Sequence, residues 1–428
     1  MADRTYNGPA GPLDFPLESP PGLRGDMKHP LPRMRVAEVL LHSSAGRGVY
    51  GRSSLTSSSF RLIIGSETLL RKHRDIYLTV PDIATLNIMP HSLTIKKIDG
   101  KPGKVYYPLQ VNQVDKPTPG PNELLVKLSA AALNHRDLFI RRHLYPGISF
   151  ENPLLADGYG TVVAAGPGAP TTLLHKPVIL TPCRGWATNP DGPEDPSRFS
   201  VNGGSVVTPA GMAQDYIVVA ADEVEPAPSH LSPAEGAALP VVGLTAWRAF
   251  VTKSGNALPG RNILVTGIGG GVALSIERAK KLGAAGGVNY KTDSRWEKTL
   301  ATKLPADRPY LDAVIDGAGG DLIARSVRLL KAGGVISQYG MTVAPKMEWN
   351  MQAVLKNIDL KGSTMGSRLE FRDMIAFVGE KKLVPVVSRV VKGLTNIEGI
   401  ESLFRDMDEG KQFGKLVIEF DDAASAKL

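Results

Sequence analysis

Residues 267–271 read Gly267-Ile268-Gly269-Gly270-Gly271, directly after the apolar run 263–266 and directly before a helical pattern. Glycines in that setting let backbone amides close around an anion, and the N-terminus of the following helix adds partial positive charge. The first glycine makes the tight turn, and the second lets the amides approach a pyrophosphate. With β and α patterns alternating downstream, the run reads as the phosphate turn of a dinucleotide site. Val272 stands where the third glycine of a Gly-x-Gly-x-x-Gly pattern belongs, so strand and helix cannot pack as closely there. A plain flexible turn between two elements is the alternative. Open α/β sheets bind ligands at the carboxyl ends of their strands. Gly340 and Met341, just past the run 334–339, therefore join Gly267, Gly269, Gly270 and Gly271 as candidate cofactor contacts.

The elements that must hold this turn fall into two textures. From residue 92, short alternating stretches at 92–98, 105–114, 123–132, 158–166, 178–181 and 213–219 are separated by Gly/Pro turns, the pattern of a small β-barrel. The stretch 184–204 is rich in Pro, Gly and Asp and reads either as a substrate lid or as a surface excursion. Ser232-Pro233-Ala234-Glu235 forms a capping box with proline at the first helical position, which predicts a helix running through Trp247. Strands are then expected at 263–266, 287–290, 311–316, 334–339 and 358–363, with helices between them, as in a parallel sheet covered on its faces. A capped helix from Thr395 to near Gly410 and a last strand at 415–420 return to the barrel. The expected fold is therefore α/β, a β-barrel domain with a Rossmann-type doubly wound parallel sheet. The barrel takes 89–231 and is completed by 370–428; the sheet takes 232–369.

At 428 residues the chain exceeds what one core organises. A hydrophobic fraction of 42% and a charged fraction of 21% are those of an ordinary soluble protein. No apolar run approaches the ~20 residues that span a bilayer, so no membrane partner is expected. The net charge of +8 is spread along the chain with no basic block interleaved with aromatics. That argues against a nucleic-acid partner and for solubility with attraction to anionic cofactors. Cys183, the sole cysteine, excludes an internal disulfide and a Cys-rich zinc site and fits the reducing cytoplasm. Residues 1–88 carry no periodic pattern and are expected to be disordered. Asp3, Asp14 and Glu18 argue against a mitochondrial presequence there, and a start codon assigned upstream of Met89 is the preferred alternative.

Three segments carry a family resemblance. Asn134-His135-Arg136-Asp137-Leu138-Phe139-Ile140-Arg141-Arg142-His143-Leu144-Tyr145-Pro146 resembles the Asn-x-x-Asp-x-x-x-Arg-x-Gly-x-Tyr-Pro motif of quinone oxidoreductases, with His143 in the glycine's place. Asp157-Gly158-Tyr159-Gly160-Thr161-Val162 resembles that branch's version of the Gly-His-Glu metal segment of zinc alcohol dehydrogenases. Gly243-Leu244-Thr245-Ala246-Trp247 is similar to the helix that meets the cofactor phosphates and nicotinamide. Over roughly residues 90–420 the chain thus resembles zinc-independent medium-chain dehydrogenases/reductases, fungal members among them, which join a GroES-like barrel to a Rossmann domain.

The resemblance implies hydride transfer between NADPH, with NADH as the alternative, and a small carbonyl, enone or quinone. It places Asn134, Ala156 and approximately Val241 where zinc ligands would stand, so no zinc is expected. The carbonyl must then be polarised by hydrogen-bond donors. Asn134 is the implied polarising amide and Tyr145 the implied pocket hydroxyl, with ring packing alone as the alternative for Tyr145. Asp137 and Arg141 are expected to form an ion pair, and His135 to be exposed or capping. Thr245 is implied in cofactor contact and Tyr290 beside the adenosine 2′-phosphate. The strand at 358–363 is implied as the sheet edge that joins a homodimer.

The same comparison exposes a gap. After Gly271 only one short helical stretch precedes 287–290, which reads as the third strand of the half, so about 20 residues of helix and second strand are missing at Leu274/Ser275. A mispredicted intron explains clean flanks; a truly shorter loop is the alternative. Loss of a central strand would weaken cofactor binding, and a pseudoenzyme or scaffold of the same fold is the rival function.

Overall fold

The computed structural model describes residues 89–267, 279–342 and 346–420. The expected disorder of 1–88, the candidates Gly269, Gly270 and Gly271, and the Leu274/Ser275 junction lie outside the described residues.

The barrel is organised by its longest strand. β1 (His91–Ile95) and β2 (Leu109–Gln113) pair antiparallel, and β3 (Glu123–Ala132) alternates side chains between two cores. β4 (Asp157–Ala165) runs antiparallel to β3 and β5 (Pro177–Leu180) to β4. The two-residue strands β6 (Cys183–Arg184) and β7 (Ser200–Val201) close the long loop at 184–204 on itself. β8 (Tyr216–Ala220) pairs with β3 and β9 (Val224–Pro226) with β5. Gly160 sits where a Cβ would lie 2.4 Å from the Lys127 carbonyl oxygen, so the close approach of β4 to β3 depends on it.

Four parallel strands form the second sheet in the order β10 (Ile263–Val265), β11 (Leu311–Asp316), β12 (Leu330–Gln338), β13 (Asp359–Gly362). All run one way from β10, so among the described residues only one wing of a doubly wound sheet is present. The strand expected at 287–290 is not one: Tyr290 and its neighbours form coil and turn. A strand needs a ladder partner, and none of the described residues pairs with this stretch. β10 is accordingly an edge: β11 is buried throughout, whereas Val265 is 51% exposed.

β14 (Val387–Lys392) and β15 (Lys415–Glu419) return to the barrel, where β15 pairs antiparallel with β3. Their sheet packs its second face on the helices Pro233–Ala237, Pro240–Trp247 and Arg368–Lys381, forming the core shared by barrel and helices. The expected single helix from Ser232 to Trp247 is broken in two. Ser232 and Glu235 do make the capping box, but Pro240 has no N–H to give and restarts the helix.

With one ladder partner, β10 is held to β11 by more than its backbone. Asp312, fully buried at the start of β11, accepts from Arg261 Nη1 at 2.9 Å, Arg308 Nη2 at 2.8 Å, Lys331 Nζ at 3.1 Å and the Asn262 N–H at 2.8 Å. Burial alone would raise this carboxyl's pKa, but those donors prevail and hold it well below the usual carboxylate range. Its contribution is complete above the unfolded value of about 4 and is lost as pH falls toward the folded one. Asp312→Asn is expected to cost about 2 kcal/mol at pH 7, below the 3–5 of a fully buried pair because Arg261 and Arg308 keep 32% and 31% exposure. Urea midpoints of the two proteins should converge below about pH 4; a constant gap down to pH 3 would refute the assignment.

Candidate active site

Strand register assembles the site. Ala132 of β3 stands opposite Asp157 at the start of β4 and opposite Val417 of β15. The next turn of chain therefore meets both strand starts. Asn134 leaves β3 in extended conformation (φ −130°) and caps the helix His135–Arg141, its N–H donating to Asp137 Oδ2 at 2.7 Å.

At that point three side chains interlock. Lys415 Nζ donates to Asn134 Oδ1 at 2.6 Å and to Asp157 Oδ2 at 2.7 Å, and Asn134 Nδ2 donates to the same Asp157 oxygen at 3.0 Å. Asp157 is fully buried, and its other oxygen accepts the Val241 N–H at 2.8 Å. The cluster thus ties β3, β4, β15 and the helix Pro240–Trp247 together. Asn134 is brought in as expected. Lys415 was not anticipated, because nothing near it in sequence marks it. Partial desolvation by the atoms packed around it, then the charge of Lys415, lowers the pKa of His135, whose side chain still reaches solvent beside the cluster.

Tyr145 is not brought to this cluster by any hydrogen bond among the described residues. Its ring packs on the barrel core with the Arg136 guanidinium 4.7 Å from its centre. The Asp137–Arg141 ion pair is also corrected. Asp137 faces Arg136 at 3.3 Å, while buried Arg141 grips Glu401 through both terminal nitrogens at 2.9 and 2.6 Å. Burial pushes the Asp137 carboxyl up to about 6 although Arg136 and the Asn134 N–H oppose it. His143 has φ +54°, the left-handed conformation that explains a glycine at this place in the motif, and its Nδ1 lies 2.5 Å from the Tyr107 hydroxyl.

The cofactor candidates gather at the carboxyl ends of the parallel strands. Gly267 turns with φ +69° and is exposed. Just before it, the Thr266 hydroxyl donates to buried Asp316, which also accepts from Gln338 Nε2 at 2.6 Å and the Gly319 N–H at 2.8 Å. The Gly340 carbonyl accepts from Gln338, the Tyr339 ring lies over Gly317, and Met341 is exposed. Tyr290 packs half-buried on the sheet core; burial, then Asp316 and Asp321, raises its pKa. Thr245 lies half-buried on its helix, its hydroxyl 3.9 Å from the Met365 sulfur.

The loop 184–204 is fastened. Glu194 accepts the N–H groups of Ala187, Thr188 and Asn189 at 2.7–2.9 Å. Arg248 lies 4.3 Å from the Trp186 ring centre, donates to the Pro190 carbonyl at 2.7 Å and pairs with Glu370 at 3.0 Å. Cavities of about 340 and 560 Å³ adjoin this loop around Arg184 and Thr208, and neither includes Asn134 or Lys415. Cys183 is buried, its thiol pushed up to about 12 by burial.

Two family models match: the alcohol dehydrogenase GroES-like domain over residues 120–229 and zinc-binding dehydrogenase over 264–380. A zinc-type alcohol dehydrogenase-like protein, YogA, of Leptosphaeria maculans is 58% identical over 359 residues, covering 77% of this chain and all of that protein. The chain belongs to the zinc-type, medium-chain alcohol dehydrogenase-like family. A Schizosaccharomyces pombe zinc-type alcohol dehydrogenase-like protein is 31% identical, with 70% of this chain and 92% of that protein covered. The crystal structure of an NAD-dependent alcohol dehydrogenase superposes with a TM-score of 0.65 at 28% identity, covering 77% of this chain and 99% of that one. By family, this zinc-type dehydrogenase homologue is an NAD(P)-dependent oxidoreductase.

Zinc needs thiolate, imidazole or carboxylate donors in a tetrahedral shell. Here Ala156 offers no donor, the Val241 N–H is given to Asp157, and Asn134 is engaged on both sides of its amide. An ammonium stands against the Asp157 carboxylate, and Asp137 is taken up by the Asn134 N–H and Arg136. These residues do not fit zinc.

The Arg248–Glu370 pair carries a test of the loop. Arg248 is 1% exposed, so neutralising its partner leaves a buried charge. Glu370→Gln is expected to cost on the order of 3 kcal/mol and to speed proteolytic cleavage within 184–204. Unchanged cleavage would show that the loop is held some other way.

Proposed function

We propose that this family member is a zinc-independent oxidoreductase that passes hydride from NADPH to a small carbonyl, enone or quinone. The carrying observation is the Lys415 ammonium seated against Asn134, which the resemblance places at a metal-ligand position, and against Asp157, next to the Ala156 that stands at another. A reduced nicotinamide supplies the hydride when bound. Thr245, Gly267, Gly269, Gly270, Gly271, Tyr290, Gly340 and Met341 are the residues proposed to hold it, NADH being the alternative to NADPH. Asn134 is proposed as a donor to the substrate oxygen, with Tyr145 at the pocket wall. The cytoplasm is the proposed compartment, in keeping with a lone buried thiol.

A second reading is favoured by β10: the 428-residue chain binds the dinucleotide poorly. The strand that carries the glycine turn is half uncovered, and no strand forms at 287–290. The alignment with the Leptosphaeria protein points the same way. Its 359 positions use 77% of 428 residues, about 330, leaving about 30 without a residue here. Fluorescence titration with NADPH should give no low-micromolar saturation. Restoring the absent segment should tighten binding at least ~10-fold and yield reductase activity that survives strong chelators. Low-micromolar affinity of the present chain would overturn the second reading; restored activity lost with its zinc would overturn the first.

A homodimer through β13 is also proposed. Among the described residues β13 ends the sheet, and exposed Trp349, Met351, Val354, Leu355 and Leu360 lie on it and on the segment leading into it. Sedimentation at tens of micromolar should show a dimer, and Leu355→Lys should shift it toward monomer. A monomer throughout would remove the proposal.

A further inference from the structure

An ammonium has three N–H bonds. Two of those on Lys415 go to Asn134 Oδ1 and Asp157 Oδ2; the third has no partner among the described residues. The side chain keeps 12% exposure, so the head group is neither sealed in nor free in water. Asn134 likewise gives one amide hydrogen to Asp157 and keeps the other. Asp157 is fully buried and takes N–H groups from Asn134 and Val241 besides Lys415, which fixes it as the base of the cluster. Two unclaimed donors, one charged, therefore belong to one rigid hydrogen-bonded unit. A positive charge in a partly dry site acts on a developing oxyanion far more strongly than in water.

We infer that Lys415 is a catalytic residue: its ammonium takes the substrate carbonyl oxygen and fills the electrophilic role that zinc has in zinc-dependent dehydrogenases. The inference rests on the carbonyl-reduction reading above. A bound reduced nicotinamide would supply hydride to the carbonyl carbon; as the π pair moves to oxygen, Nζ gives that oxygen its proton. The amine regains its proton from water, so an alcohol forms and the dinucleotide alone is oxidised. Asn134 donates its free amide hydrogen to the same oxygen and is held in that orientation by Lys415.

Benzamide labelled with ¹³C at its carbonyl is a probe that cannot be reduced and needs no cofactor. Titrated into the 428-residue protein, it should bind saturably, with its carbonyl resonance moved downfield. Lys415→Met should weaken binding ~10-fold and abolish the shift, while Lys415→Arg restores much of it. Because Lys415→Met leaves Asp157 unpaired, Lys415→Met/Asp157→Asn is measured beside it and should lack the shift as well. A purely structural lysine would alter affinity but leave the bound resonance where it was. That result, or no saturable binding to the unaltered protein, overturns the inference. Failure of the reduction reading appears separately, as absence of NADPH oxidation by the chain with its segment restored.

Discussion

Asp157 is a carboxylate with no access to water, and such a group must be neutralised where it stands. Its partners come from the end of β3, the start of β15 and the first turn of the helix Pro240–Trp247. Satisfying one charge therefore fixes the barrel's two central strands, its C-terminal strand and the helix that leads toward the nucleotide half. The same requirement brings a lysine to the floor of the site. In this account the chemistry of the site follows from the solvation of Asp157: the cation that makes the carboxylate tolerable is also the charge available to a substrate oxygen.

The nucleotide half obeys a different constraint. A parallel strand in the middle of a sheet needs a ladder on both sides, and among the described residues β10 has one. The fourfold pairing of Asp312 anchors the start of β10, yet its carboxyl end, where the glycine turn must be held still, is the part left open to solvent. Asp316 organises Thr266, Gln338 and the Gly319 N–H behind that turn. Among the described residues, the architecture for a dinucleotide is thus present on one wing of the sheet only. That combination explains why the family assignment and the activity of this chain are separate matters.

What could be read from the sequence was what local pattern controls. Glu123–Ala132 and Leu311–Asp316 were legible to the residue because a largely alternating pattern in the first and the apolar Ala313-Val314-Ile315 of the second specify them. The Ser232 capping box was legible too, but the break at Pro240 was passed over in favour of helical periodicity. Residues 287–290 have strand-like composition and are no strand, because pairing is a tertiary property. The ion pairs show the same limit. An i,i+4 pairing of Asp137 with Arg141 was the local expectation, whereas Arg141 pairs with Glu401, 260 positions away. Lys415 lies 281 positions from Asn134 and 258 from Asp157, so no motif could have announced it. The family motif supplied Asn134; only the fold supplied its partner.

The central claim is that an ammonium, and not a metal, occupies the space between Asn134 and Asp157. Anomalous diffraction at the zinc absorption edge, from crystals grown and soaked with excess zinc, tests this most directly. The account predicts continuous Lys415 density reaching Asn134 and Asp157 and no anomalous peak within bonding distance of either. A zinc peak bound to those residues, with Lys415 displaced, would contradict it.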